Sequence, residues 1–412
     1  MNLCKQRQSK NKGLILTSLT ILALPLVLPL QKAAAFSFSP VINFNGTNGA
    51  EPRAGVLKGS DNNLYGTTSQ GGSSANNGTA FKLSGPTLTT LTTLINFNGT
   101  GAPRGTNPVA RLFQTADGTL YGVTATGGTS NLGTIFKLAS PSFTTLTTLV
   151  DFTGILGSKL GSNPAGRLIS GSDGNLWGTT STGGVNNLGT IFKVTPAGVL
   201  TTVATFNGTN GAIPLARLQL ASDGKYYGTG SEGGATDRGV VFRYDSTAAT
   251  LTVSSFNGAN GEAPQSGLIE VTEGANKFIY GTTRRGGSSN KGVIFKIPLG
   301  FTSTTAPTLV SSFGGTNGAK PTAALTPGTA GIFYGTTSAG GVNGTGVIYK
   351  LTTTVTPPTI TTLYSFNALG AGGTNVGGAR PESTLIPVGT DYYGTASGGG
   401  TSGRGTVFKF TP

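Results

Sequence analysis

Four short motifs recur seven times, always in the same order, along this chain of 412 residues. An aromatic-glycine pair begins at Tyr65, Tyr121, Trp177, Tyr227, Tyr280, Tyr334 and Tyr393, with spacings of 50 to 59 residues. An aromatic-basic pair begins at Phe81, Phe136, Phe192, Phe242, Phe295, Tyr349 and Phe408, and a Gly-Gly pair precedes each of them. A lone phenylalanine follows at Phe44, Phe97, Phe152, Phe206, Phe256, Phe313 and Phe366. A proline stands four residues before an aliphatic residue at Pro52, Pro108, Pro164, Pro214, Pro264, Pro321 and Pro381. Such periodicity predicts a ring or stack of seven equal units.

Each unit contains four strand candidates. In the first unit they are residues 54–58, 63–68, 78–83 and 87–97, which are rich in Thr, Val, Leu, Tyr and Phe. Glycine makes up 68 residues and charged residues only 10%, which favours a turn-rich all-β fold. Asp-Gly pairs in units two to four predict type I′ hairpin turns between the first two strands. Four antiparallel strands per repeat predict a seven-bladed β-propeller, with a solenoid or an open sandwich as the alternative.

The two ends of the repeat array complement each other. The chain ends in the third strand of unit seven, at residues 408–410, so that unit lacks its fourth strand there. Residues 38–44 form an unattached fourth strand near the other end. The sequence therefore predicts that this N-terminal strand closes the ring and covers an edge that would otherwise be unpaired.

The first 35 residues predict a secretory signal peptide. Residues 1–12 carry four basic side chains, residues 13–30 are apolar, and Ala33, Ala34 and Ala35 supply a cleavage site. An uncleaved N-terminal anchor is the alternative. Cleavage would leave residues 36–412 as one domain of net charge +9, without cysteine and without a membrane span. We expect a monomer that is secreted, periplasmic or at the cell surface.

The repeat units resemble the GloVer tandem-repeat family of exported bacterial proteins. The resemblance rests on segments such as LYGTTSQGGSSANNGTAFKL and LTTLINFNGTGAP and covers residues 36–412. It implies an exported or surface protein with a propeller-like fold and no established catalytic residues. Many relatives carry a C-terminal sorting tail, which we do not expect here. A weaker similarity to kelch repeats differs in the order of the motifs.

The composition excludes several kinds of chemistry. The chain has no histidine and a single cysteine, Cys4, which excludes Ser-His-Asp and Cys-His catalysis and histidine or multi-cysteine metal sites. No cofactor motif is present, and the Gly-rich loops lack the Gly-Lys-Ser/Thr of a phosphate-binding loop. The basic residues are spread round the repeats, so we expect no nucleic-acid partner. We predict no catalytic residue, no metal ligand and no cofactor.

Deviations from the repeat are the best indication of a binding site, because a single ligand breaks sevenfold symmetry. Arg111, Arg167 and Arg217 each stand three residues after the proline, in units two, three and four only. If that position lies on the inner strand, three adjacent blades place guanidinium groups on one side of the central channel. Such a group can bind a carboxylate or sulfate bidentately. Local pairing or solvent exposure of each arginine is the alternative.

A second set of ligand-binding candidates, Arg284 and Arg285, precedes the Gly-Gly pair of unit five. These loops and the Phe-Asn-Gly loops are expected to share one face of the disc. The predicted function is an exported noncatalytic binding or structural protein that recognises a glycan or a protein partner on that face. The alternative is an extracellular propeller enzyme that acts on polysaccharide, for which two facing carboxylates would be needed.

Overall fold

A computed structural model describes residues 36–72, 75–99 and 105–412, and the predicted signal peptide lies outside these residues. The described chain is built of antiparallel strands, and its one helical segment is a short 3₁₀ turn at Ala371–Gly373. No helix among the described residues is long and apolar enough to cross a membrane.

The described residues form thirty strands in seven sheets. They begin with β1 (Ser37–Asn43), β2 (Leu57–Lys58), β3 (Leu64–Thr68), β4 (Thr79–Ser84), β5 (Thr90–Asn96), β6 (Phe113–Gln114), β7 (Leu120–Thr124), β8 (Thr134–Leu138), β9 (Leu146–Asp151), β10 (Ile169–Ser170), β11 (Leu176–Thr180), β12 (Thr190–Val194) and β13 (Leu200–Thr205). They continue with β14 (Gln219–Leu220), β15 (Tyr226–Gly230), β16 (Val240–Asp245), β17 (Thr250–Ser255), β18 (Glu262–Pro264), β19 (Ile269–Glu273), β20 (Asn276–Arg285), β21 (Val293–Pro298) and β22 (Thr308–Ser312). The last are β23 (Thr326–Pro327), β24 (Ile332–Thr337), β25 (Val347–Thr352), β26 (Thr359–Ser365), β27 (Ala379–Pro381), β28 (Ile386–Val388), β29 (Asp391–Gly398) and β30 (Thr406–Thr411).

Each sheet is one blade, and its strands pair in chain order from the inside of the ring to the outside. Blade one is β2-β3-β4-β5, and the inner edges of blades five and seven are split into β18 with β19 and β27 with β28. In blade seven β1 pairs with β30 from Ser37↔Thr411 to Asn43↔Thr406 and takes the outermost place. The predicted seven-bladed propeller and its closure by the N-terminal strand are therefore confirmed.

A threonine on the second strand of most blades fastens that blade to the next. Its hydroxyl donates to a backbone carbonyl on the inner segment of the following blade, as Thr179 does to Ala216 at 3.2 Å. The same bond runs from Thr395 of blade seven to Ala54 of blade one, at 2.9 Å. Blade two has Val123 at this position and cannot make the bond. The bond across the junction of blades seven and one shows that the ring closes with the same geometry as elsewhere.

The recurring aromatic residues pack between blades. The lone phenylalanine at the end of each outer strand contacts the third-strand aromatic ring of the next blade, with ring centroids 5.3 Å apart for Phe206 and Phe242. The glycine of the aromatic-glycine pair lies under that same third-strand ring. A Cβ on Gly228 would lie 2.3 Å from Cζ of Phe242, and the other six blades show the same close approach. The glycine is thus required by packing, because its backbone has no unusual φ.

This packing predicts a strong effect for Gly228→Ala. The added methyl group has no space beside Phe242, and overpacking a rigid core costs about 1–3 kcal/mol. We expect the urea midpoint of unfolding to fall accordingly. Gly314→Ala is the matched control, since its Cβ would meet no atom closer than 3.8 Å. Equal midpoints for both variants would contradict the packing role of the ring.

Two local predictions were wrong. The inner strands are shorter than expected, and in blade one only Leu57–Lys58 pairs with the second strand. The preceding residues instead line the channel. The Asp-Gly turns are not type I′, because only the glycine has a positive φ, as at Gly118 (84°). The carboxylate of Asp117 accepts a hydrogen bond from the Thr119 amide at 3.1 Å, which suits a type I turn followed by a glycine bulge.

Candidate functional site

A cavity of about 170 Å³ lies on the axis of the ring, lined by the inner segment of every blade. The chain alternates there as in a strand, so that the first and third residues after each proline face the axis while the second is buried in the blade. The first residues after the prolines form an upper ring of Arg53, Val109, Ala165, Leu215, Gln265, Thr322 and Glu382. The third residues form a lower ring of Gly55, Arg111, Arg167, Arg217, Gly267, Ala324 and Thr384.

The upper ring lies closer to the face that carries the long loops. Each inner segment enters the ring from the Phe-Asn-Gly loop, and short bridges join that loop to the Gly-Gly loop of the same blade, as between Ala50 and Gln70. We call this the loop face. The lower ring, with its three arginines, is therefore deeper in the channel.

The structure brings Arg111, Arg167 and Arg217 together, as the sequence predicted. They come from three adjacent blades and line one side of the lower ring. The charge of Arg111 lies close enough to lower the pKa of Arg167. We call these three side chains the arginine cluster.

Of the three arginines, Arg217 is held by the most hydrogen bonds. Its Nη1 donates to Oε1 of Gln219 at 2.9 Å and its Nη2 donates to the carbonyl of Leu268, in the next blade, at 3.0 Å. The neighbouring Gly267 makes room for this reach, since a Cβ there would lie 3.1 Å from Cγ of Arg217.

The other two arginines have fewer partners. The guanidinium of Arg167 stands 6.0 Å from the ring centroid of Phe113, and its Nε is buried without a hydrogen-bond partner among the described residues. Arg111 has no hydrogen-bond or ion-pair partner among the described residues. Both guanidinium groups are thus available to a ligand.

The electrostatics of the arginine cluster favour a negatively charged group beside it. Burial is the main cause that lowers the pKa of all three arginines, and the neighbouring arginine charges lower that of Arg111 and Arg167 further. An arginine nonetheless keeps its charge at neutral pH. Three like charges confined in one channel repel one another, and an anion between them relieves that repulsion.

The opposite side of the channel differs in both rings. The lower ring is small there, with Gly267, Ala324 and Gly55, which leaves space in front of the arginines. In the upper ring the one acid of the cavity lining is Glu382, whose pKa is raised by burial and held down in part by the charges of Arg53 and Arg380. Arg53 is itself paired with Glu51, at 2.8 Å.

The other predicted pair, Arg284 and Arg285, lies apart from the channel. Both line a pocket of about 380 Å³ between blades five and six, together with Lys291 and Lys320. Nη1 of Arg285 stands 3.8 Å from Oε1 of Glu262. This pocket is basic and is formed by loop-face residues, but it does not share the cavity of the arginine cluster.

Sequence reasoning missed the polar part of the upper ring, namely Gln265, Thr322 and Glu382. The signal was available, because the first and third residues after each proline must face the same way in an extended segment. Among the described residues no group of three acidic side chains is placed to hold a metal ion.

Comparisons with known proteins support the fold. The sequence model of the Gloeobacter/Verrucomicrobia repeat matches residues 30–221 and 278–412. The unmatched interval falls in blades four and five, which keep the antiparallel strand order of the other blades although the inner edge of blade five is split. No curated protein matches the sequence.

Two solved structures illustrate the likeness. The extracellular domain of a protein described as the hybrid two component system BT4673, from B. thetaiotaomicron, is 10% identical with a TM-score of 0.56. The match covers 92% of this chain and 42% of that one, so this chain spans less than half of its length. A protein described as a 6-phosphogluconolactonase, from Bacteroides uniformis, is 14% identical with a TM-score of 0.50, over 84% of this chain and 89% of that one. At such identities the likeness shows the fold alone.

Proposed function

The chain belongs to the Gloeobacter/Verrucomicrobia repeat family, and from that premise we propose that it is an exported, noncatalytic binding module that holds an acidic ligand in its central channel. The ligand is an acidic glycan, or an acidic group of a protein partner, that approaches from the loop face. Its negative group reaches the arginine cluster in the lower ring.

One observation carries the proposal. Three arginines, present in only three of seven otherwise similar blades, converge on one cavity in which Glu382 is the one acidic lining residue among those the structure describes. Glu382 belongs to the upper ring of blade seven and not to the wall of blades two to four. A structural ring would not need these charges, since four blades do without them. Guanidinium groups match carboxylate and sulfate geometry, which makes an anion the natural partner.

Export is the second part of the proposal. Residues 1–35 have the basic, apolar and Ala-rich segments of a signal peptide, and the rest of the chain contains no cysteine. A secreted, periplasmic or surface location would expose the loop face to extracellular glycans. The fold is also found in an extracellular domain, which is compatible with this location.

Titration of the 36–412 protein with oligogalacturonate, a sulfated glycan and a neutral glucan tests the proposal by calorimetry. We expect the acidic glycans to bind and the neutral glucan not to bind. Arg167→Met should weaken binding about thirtyfold or more, because it removes a charged group from a buried contact. Lys58→Gln, which removes an exposed charge that does not line the cavity, should change binding by less than about twofold.

Three outcomes would overturn the proposal. Equal binding of the neutral glucan would show that charge is not what is recognised. An unchanged affinity of Arg167→Met would place the site elsewhere, with the Arg284 and Arg285 pocket as the next region to mutate. Release of reducing sugar in the same samples would show that the protein is an enzyme acting on polysaccharide.

A further inference from the structure

Two buried polar atoms in the wall of the channel have no hydrogen-bond partner among the described residues. They are Nε of Arg167, in blade three, and Oγ1 of Thr322, in blade six. Buried polar groups in folded proteins are nearly always paired, so each unpaired one needs an explanation. Both residues line the same cavity, from opposite sides of the ring. Each atom is covered by the wall itself, so its side chain must turn toward the channel to pair with a ligand that spans it.

The two atoms need different hydrogen-bond partners. Nε of Arg167 is a charged donor and needs an acceptor such as a carboxylate oxygen. The hydroxyl of Thr322 both donates and accepts, which suits a neutral hydroxyl group. A bare sulfate or phosphate on the arginine cluster offers no such hydroxyl to the upper ring.

The upper ring has two contrasting halves. Above the arginine cluster stand Val109, Ala165 and Leu215, which are apolar. Across the channel stand Gln265, Thr322 and Glu382, which together offer amide, hydroxyl and carboxyl groups, and beside them stands Arg53, which is paired with Glu51. A molecule with a C–H face on one side and several hydroxyl groups on the other matches both halves.

We propose that the ligand is a sugar acid, whose carboxylate lies on the arginine cluster and whose hydroxyl groups bond to Thr322, Gln265 and Glu382. This rests on the channel being the binding site, as proposed above. The cavity of about 170 Å³ is of the size that takes one small ring, since an engineered cavity of about 150 Å³ takes benzene. One sugar unit therefore enters, either as a free sugar acid or as the terminal residue of an acidic polysaccharide.

A calorimetric panel of glucuronate, acetate, sulfate and glucose tests this on the 36–412 protein. We expect glucuronate to bind at least about tenfold more tightly than acetate or sulfate, and glucose not to bind measurably. Thr322→Val should weaken glucuronate about three- to tenfold, the worth of one or two hydrogen bonds, and leave acetate unchanged. Thr361→Val, an exposed change on the outer strand of the same blade, is the control for the substitution itself.

The results separate the two proposals. If all anions bind equally and Thr322→Val changes nothing, the sugar-acid assignment is wrong while the anion site stands. If no anion binds, or Arg167→Met has no effect on any of them, the channel is not the site and both proposals fail. If glucuronate does bind, a comparison of free glucuronate with galacturonate oligomers distinguishes the two possible sources of the sugar acid. Tighter binding of the oligomers indicates the end of a polysaccharide, and equal binding indicates a free sugar acid.

Discussion

A protein that starts at Asn45 is expected to lose most of the stability of one that starts at Phe36. The shorter chain lacks β1, so β30 loses its partner along six register pairs and becomes an exposed edge. It also lacks Phe38, which stacks on Tyr364 with ring centroids 3.9 Å apart, and Phe44, which is fully buried against Phe81. Loss of one buried phenylalanine costs about 3–5 kcal/mol, and whole domains have about 5–15 kcal/mol.

Urea denaturation followed by fluorescence and size exclusion measures this effect. Phe44→Ala should reproduce a large part of it in the full-length chain, and Ser37→Ala, at an exposed position, should change the midpoint little. A peptide of residues 36–44 added in trans should restore stability to the shorter protein, since a free strand can complete an open sheet. An equal midpoint for the proteins starting at Phe36 and Asn45 would show that blade seven holds without its fourth strand.

Ring closure could be predicted from sequence because the repeat makes omissions visible. The seventh unit lacks its last strand, and the other end of the chain has a strand without a unit. The second can supply the first, and β1 does so by pairing with β30. The lengths of the inner strands could not be predicted in the same way. The residues just after Pro52 continue directly into the paired strand Leu57–Lys58, but they line the channel. Sequence alone does not show where channel lining ends and strand pairing begins.

The arginine cluster could be predicted for a related reason. The third residue after the proline is glycine, alanine or threonine in four blades and arginine in three, so the arginines deviate clearly from the repeat. The sevenfold geometry of the ring directs this position toward the central axis in every blade. The upper ring was not predicted because its residues differ in every blade. Thr322 and Glu382 therefore do not deviate from any repeated residue. Alternation along the inner segment predicts that both face the axis, but the burial of Glu382 and the unpaired hydroxyl of Thr322 are visible only in the coordinates.

The arginine cluster is expected to reduce stability when no ligand is bound. Arg167 and Arg111 have no acid beside them in the described part of the chain, and in each the folded state disfavours the charged form, which lowers the pKa. Below that lowered pKa, and so at neutral pH, the charge therefore opposes folding. Arg111→Met combined with Arg167→Met keeps the apolar stems and removes the charges. Replacing buried charges in this way often stabilises a protein by about 1–4 kcal/mol, so we expect the double variant to melt at a higher temperature in buffer without added anion.

Arg217→Met supplies the contrasting case, because it leaves the carbonyl of Leu268 and Oε1 of Gln219 without their donor. We expect this variant to melt at a lower temperature, since unpaired buried acceptors are costly. Adding glucuronate should raise the melting temperature of the wild type and leave that of the double variant unchanged, because only a ligand that binds the folded state stabilises it. If all three substitutions lower the melting temperature alike, the arginines act as struts between blades. If the double variant gains stability and loses the response to the anion, the charges of Arg111 and Arg167 lower the stability of the free protein and are needed to bind the anion.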